Sequence, residues 1–219
     1  MAEAHDLLNA PARAPGWKFA DADVLIAQGR VARPHPRSWV TLAKDRPHLA
    51  KALTGRLLDV GTGVAELTLE AAALNPELHI VGIDIYEPAL AIAREAVRAS
   101  PHAARIELRY QDVTTLDERG GYTLAWVPTS FLPRSVTTTA LRRVFAAPAP
   151  GGFLIAGTRG GSGATLEGAL ASSRILRSGG HPWRGDEMTD YLSAPGYCDI
   201  EAIASSGRVD FLARKPMPG

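Results

Sequence analysis

Cysteine is almost missing from this 219-residue chain, in which Cys198 stands alone. One thiol cannot close an intrachain disulfide, so the expected setting is a reducing cytoplasm. An excess of charge of either sign is also missing: 24 basic and 23 acidic residues leave a formal net charge of +1. No broad field is available to attract a polyanion, and nucleic acid is not favoured as a partner. Long hydrophobic runs are absent as well, because Gly, Pro or a charge cuts every apolar stretch before the roughly 18 to 20 residues that a membrane helix needs. The stretch from Met1 to Phe19 is rich in Ala and Pro and lacks both the basic start and the apolar core of an export signal. There is no internal repeat. The length suits one soluble α/β unit with a substantial core.

The chemistry-bearing pattern begins at Leu57-Leu58-Asp59-Val60-Gly61-Thr62-Gly63-Val64-Ala65-Glu66-Leu67. An apolar run ends in an acid, glycines follow at alternate positions, and a helical pattern starts. Strand, tight turn and helix start together build a pocket for a nucleotide-like ligand. One helix later, Ile80-Val81-Gly82-Ile83-Asp84 reads as a second strand ending in an acid, where a carboxylate can grip a ribose diol. A dinucleotide site keeps its turn free of acids so that the helix N-terminus can receive pyrophosphate. Here Asp59 precedes Gly61 and Glu66 falls in the first helical turn, a placement that suits a cationic ligand without phosphate, such as S-adenosylmethionine.

On these residues the segment Leu57 to Leu67 resembles the first motif of the class I S-adenosylmethionine-dependent methyltransferases. Val81 to Leu90 is similar to that family's second-strand motif, Tyr110-Gln111-Asp112-Val113 to its adenine-side motif, and Ala149 to Ile155 to its approach to the fifth strand. The four occur in the family's order over roughly residues 55 to 160. The family's third glycine is Ala65 here, leaving Gly61 and Gly63 as the points of close approach.

The resemblance implies a Rossmann-like, seven-stranded, mostly parallel α/β sheet with helices on both faces and an N-terminal helical cap. Residues 1–54 would form the cap and 55–219 the methyltransferase domain, one structural unit overall. The alternating pattern predicts strands over Arg56–Val60, His79–Asp84, Arg105–Tyr110, Tyr122–Val127 and Gly152–Gly157. It predicts helices over Val64–Leu74, Pro88–Ala99 and Ser135–Phe145, then over Ala164–Arg177 and Gly185–Ser193 after a flexible Arg159–Gly163 link. A hairpin, Cys198–Ser205 with Val209–Lys215, is joined through Ser206-Gly207. Ahead of the sheet, Ala20 to Arg30 has helical spacing and Pro34-His35-Pro36 reads as an extended break. Ser38 is placed to cap the next helix, which Pro47 kinks or restarts.

Ligands of an open α/β sheet gather beyond the carboxyl edge where the strand order reverses. Asp59, Gly61 and Gly63 are then expected on the methionine half of the cofactor, Asp84 on the ribose hydroxyls, Tyr86 over the adenine or ribose, and Asp112 with Val113 at the adenine. The fourth-strand end, Ala125 to Pro133, carries no acid. It therefore lacks the carboxylate ligands of metal-dependent catechol-type methyltransferases and the Asn/Asp-Pro-Pro-aromatic element of adenine-amino methyltransferases, and no metal is expected. Trp126, Phe131 and Thr129, joined by Trp183 and Arg184, are expected to line a small, partly apolar acceptor site. His35 and His181 are the histidines placed to act as a general base. The expected activity is methylation of a small molecule, with oxygen ahead of nitrogen or carbon, and assembly as a homodimer is compatible with it. A nucleotide-dependent oxidoreductase and a non-catalytic S-adenosylmethionine-binding protein remain as alternatives.

Overall fold

The structure is a computed structural model that describes residues 14–17, 20–159, 165–205 and 208–219. The glycine-rich link 160–163, the Ser206-Gly207 connection and most of the Ala/Pro-rich N-terminal stretch lie outside the described residues.

Among the described residues, three α-helices precede the sheet: α1 (Ala22–Gly29), α2 (Pro34–Ala43) and α3 (Pro47–Ala52). There follow β1 (Arg56–Val60), α4 (Glu66–Leu74), β2 (His79–Asp84), α5 (Glu87–Arg98), β3 (Ile106–Tyr110), β4 (Tyr122–Val127), α6 (Arg134–Ala146) and β5 (Pro148–Thr158). The chain closes with α7 (Leu166–Arg177), α8 (Gly185–Ser193), β6 (Cys198–Ser205) and β7 (Arg208–Arg214). The seven strands lie in the order β3-β2-β1-β4-β5-β7-β6, with β7 antiparallel to both its neighbours. The order reverses between β1 and β4, so the crevice for a ligand opens at their carboxyl ends.

Strand alternation sends successive side chains to two separate cores. Leu57, Ile80, Leu124, Trp126, Ile155 and Leu212 pack with Trp39, Leu49 and Leu67 on one face. Leu58, Val81, Ala125, Val127, Leu154 and Phe211 pack with Leu141, Trp183 and Met188 on the other. Both faces are covered, as a parallel sheet requires.

Pro34-His35-Pro36 is not an extended break but the first turn of α2, with Pro34 at the start. Helix N-terminal N–H groups have no intrahelical acceptor, so prolines there cost no hydrogen bond. Ser38 consequently lies inside the helix, where its hydroxyl donates to the Pro34 carbonyl at 3.2 Å, and caps nothing. Pro47 does restart the chain as α3.

Gly157, near the end of β5, is required by its neighbour. A Cβ there would lie 2.2 Å from Cη2 of Trp126. Gly157→Ala should therefore cost about 1–3 kcal/mol through overpacking. Urea unfolding checks this, and an unchanged midpoint would contradict the packing described.

Candidate cofactor and acceptor site

The turn after β1 is held in left-handed backbone at Gly61 (φ 69°), Gly63 (φ 56°) and Ala65 (φ 65°). A Cβ at Gly61 would meet Pro128 Cγ at 3.3 Å, so this glycine lets the β1 and β4 loops approach. Around Gly63 the space is open, its nearest contact being the Gly61 carbonyl at 4.0 Å. Ala65 adopts at a steric cost a conformation that glycine adopts freely, and its methyl is buried against Ala93 and Val97.

Asp84 clamps the loops together. One carboxylate oxygen accepts from the Gly63 N–H and the other from the Tyr86 N–H, both at 2.8 Å. Burial pushes its pKa up, against these backbone bonds. The clamp places Asp84 beside the open space at Gly63, and Tyr86 packs against the group of Leu25, Val64 and Ala89.

Asp59 lies beneath the turn and is fully buried. One of its oxygens accepts from Thr68 (2.5 Å) and Thr62 (2.9 Å), whereas Oδ1 is buried without a partner. Burial lifts its pKa from 3.8 to about 6, only partly opposed by the two threonine bonds. A carboxyl with a raised folded-state pKa favours the folded protein fully below its unfolded value, and that advantage is lost as pH rises through about 6. Asp59→Asn is therefore expected to stabilise the ligand-free protein near neutral pH by up to about 3 kcal/mol and to flatten its stability between these pH values. Urea unfolding at acid and neutral pH reads this out, and an unaltered pH dependence would count against it.

Glu66 does not present the free negative charge that the sequence suggested. It pairs with Arg33 at 3.2 Å and Arg30 at 3.9 Å, and the neighbouring Glu70 pairs with Arg37 at 2.6 Å. These arginines come from the N-terminal helical segment, so the charge ties that segment to α4 instead of facing a ligand. Glu66 is therefore not free to attract a sulfonium.

The other residues marked in the sequence take the following places. Asp112 caps the turn Val113–Thr115, one oxygen accepting from the N–H and hydroxyl of Thr114 at 2.8 Å, and Val113 is buried in the core. Trp126 is 4% exposed and its ring packs at a tilt against both Trp39 (5.4 Å) and His35 (4.4 Å), so it is a core residue and not a rim. Thr129 is buried with its hydroxyl on the Gly157 carbonyl, and Trp183 is buried with its indole N–H on the Thr129 carbonyl. Arg184 sits exposed at the start of α8, paired with Asp186. Phe131 is half-buried, 5.6 Å from the ring of Trp17, and keeps a place at the fourth-strand end.

Both histidines come to the carboxyl edge, in different settings. The His181 N–H donates to the Ser130 carbonyl at 3.0 Å and its ring packs edge-on against Trp183. His35 is buried, and its Nδ1 lies 3.0 Å from Oδ2 of Asp210. An ionised carboxylate only accepts, so Nδ1 carries the proton and Nε2 is left with a free lone pair. Burial pushes the His35 pKa below 6.5 and outweighs the pull of Asp210, which keeps the ring neutral near pH 7. Asp210 is the residue that sequence reasoning missed. It lies in the terminal hairpin, 175 positions from its partner, and no local signal joins the two.

No helix among the described residues is long and apolar enough to cross a membrane. A family model described as a methyltransferase domain matches residues 57–152. A ubiquinone/menaquinone biosynthesis C-methyltransferase of Geotalea daltonii is 30% identical over 124 residues, covering 54% of this chain and 51% of that protein. A demethylmenaquinone methyltransferase of Symbiobacterium thermophilum is 30% identical over 128 residues, covering 56% and 46%. The chain thus spans about half the length, or less, of the curated relatives it matches. Among solved structures, human N-acetylserotonin methyltransferase in complex with S-adenosylmethionine superposes with a TM-score of 0.74 at 18% identity, covering 98% of this chain and 66% of that one. An O-methyltransferase family protein of Burkholderia thailandensis gives 0.70 at 12% identity, covering 100% and 69%. Residues 57–152 thus match a methyltransferase domain, and the seven-stranded sheet shares the fold of these solved methyltransferases.

Proposed function

We propose that the protein is an S-adenosylmethionine-dependent methyltransferase acting on a small molecule, with transfer to a hydroxyl oxygen and His35 as the general base. The observation that carries this reading is the Asp84 clamp beside the open space at Gly63, at the strand-order switch of a sheet whose central segment matches a methyltransferase domain. The donor set fits the cofactor. Asp84 offers a carboxylate at matching separation for a ribose diol, Asp59 Oδ1 is a buried acceptor still without a partner under the methionine side, and no Cβ obstructs approach at Gly61 or Gly63. Asp112 and Tyr86 are left at the margin of the adenine pocket.

When bound, the cofactor supplies an electrophilic methyl on a sulfonium that leaves as a neutral thioether. The protein's part is then mainly positioning, worth up to about 7–11 kcal/mol in favourable cases. His35 Nε2 would take the proton of the acceptor hydroxyl, while Asp210 holds the imidazole in the Nδ1–H tautomer. Residues 20–54 would act as the cap: α1 packs on α4 and α5 near the turn, and α2 delivers His35 to the carboxyl edge.

A second reading, methylation at an electron-rich ring carbon, is favoured by the curated relatives, several of which are C-methyltransferases by name. The test is incubation of the purified protein with S-adenosylmethionine and a panel of phenolic and quinol acceptors. Methylated product with equimolar S-adenosylhomocysteine supports the proposal, and the site of the new methyl by NMR separates oxygen from carbon. Cofactor binding without any product would leave only a binding protein.

A further inference from the structure

Where β5 ends and β7 begins, the described residues gather more positive charge than they neutralise. Arg159 directly follows β5 and Arg208 opens β7, and both are half-buried. Arg208 donates from Nη2 to the Ser38 hydroxyl at 3.2 Å, while its Nε is buried without a hydrogen-bond partner, 4.0 Å from Oδ2 of Asp210. Arg159 donates from Nη2 to the Val31 carbonyl at 3.3 Å. Its charged form is disfavoured by burial and by the nearby Arg208 and Arg174, with Asp210 opposing. Asp210 already holds His35, and its own Oδ1 is buried without a partner. Among the described residues, two partly desolvated guanidiniums thus share one carboxylate, and the neutral His35 adds no negative charge. Buried charge left so incompletely paired is costly until an anion completes it.

We propose that Arg159 and Arg208 form a subsite for an anionic oxygen group of the methyl acceptor, a carboxylate, held beside the His35–Asp210 pair. The inference rests on reading this edge as the acceptor side of the methyltransferase. A guanidinium presents a planar fork of donors that matches a carboxylate, which gives the site orientation as well as charge. An acceptor gripped there is positioned by its acid group, with its hydroxyl left for His35.

The test is an NMR titration of the full chain with benzoate, its neutral analogue benzamide, and inorganic phosphate, following the arginine Nε–Hε resonances with and without S-adenosylhomocysteine. Saturable benzoate binding, with benzamide at least about tenfold weaker, is the expected result. Arg159→Gln and Arg208→Gln should each weaken benzoate by about tenfold or more and leave S-adenosylhomocysteine affinity unchanged. Equal binding of benzoate and benzamide, or benzoate binding untouched by both substitutions, would overturn the subsite. Binding of phosphate in place of benzoate would overturn its assignment to a carboxylate. Should Arg208→Gln lower the melting temperature strongly, Arg159→Gln decides. A protein that ignores S-adenosylhomocysteine but binds benzoate through these arginines would refute the cofactor reading and retain the anion subsite.

Discussion

Replacing His35 by Gln is expected to lower turnover by roughly 10²–10⁴-fold, the usual contribution of a positioned base, with S-adenosylhomocysteine affinity unchanged. The glutamine amide fills much of the imidazole volume and can still meet Asp210, so the core against Trp126 survives while the basic nitrogen is lost. The wild-type rate should show an acid limb with its midpoint below 6.5, because burial lowers the His35 pKa from that value. Below the midpoint the imidazole is protonated and cannot accept the acceptor's proton. Asp210→Asn should lower turnover as well and move that limb, since the carboxylate both orients the ring and raises its basicity. Stopped-assay measurement of product across pH reads all three. Undiminished turnover in the Gln variant would remove His35 from the chemistry and return attention to His181.

Replacing Asp84 by Ala should weaken S-adenosylhomocysteine binding by roughly 10- to 150-fold, the equivalent of about 1.5–3 kcal/mol for charge-assisted hydrogen bonds. Two losses combine in that figure. The ribose would lose its carboxylate, and the Gly63 and Tyr86 N–H groups would lose the acceptor that fixes the loops against each other. Asp84→Asn separates them: the amide oxygen can keep one backbone bond, but its nitrogen cannot accept. An intermediate affinity is expected for it. Calorimetric titration of both variants checks the series, and equal affinity across wild type, Asn and Ala would take Asp84 out of the cofactor site.

Most of the sheet could be read from local pattern, because each parallel strand carries its own apolar run and terminates at Gly, Pro or an acid. Arg56–Val60, His79–Asp84 and Tyr122–Val127 coincide with the predicted strands, and Gly185–Ser193 with the predicted helix. The fifth strand starts earlier, at Pro148, because that residue pairs with Tyr122 of β4 ahead of the apolar centre. Pro34 and Pro36 misled as breakers because their effect depends on whether they fall in a first turn or an interior, which only the finished helix decides.

The site divided in the same way. Gly61, Gly63 and Asp84 were legible because their conformations and contacts are set within a single strand-turn-helix unit and its neighbour. Glu66 was misread because Arg30 and Arg33 reach it from another segment. Trp126 and Trp183 are buried in the cores on opposite faces of the sheet and Thr129 is buried at the fourth-strand end, a difference the sequence does not carry because residue type alone cannot tell a buried aromatic from a pocket wall. His35 was marked from its residue type, whereas Asp210, which gives it a tautomer, is invisible until the terminal hairpin inserts beside β5.

The most direct test of the account is calorimetric titration of the purified wild-type protein with S-adenosylhomocysteine, alongside NAD as a phosphate-bearing control. Saturable one-to-one binding of S-adenosylhomocysteine, with no heat from NAD, is the predicted result. Binding of NAD with no response to S-adenosylhomocysteine would contradict it.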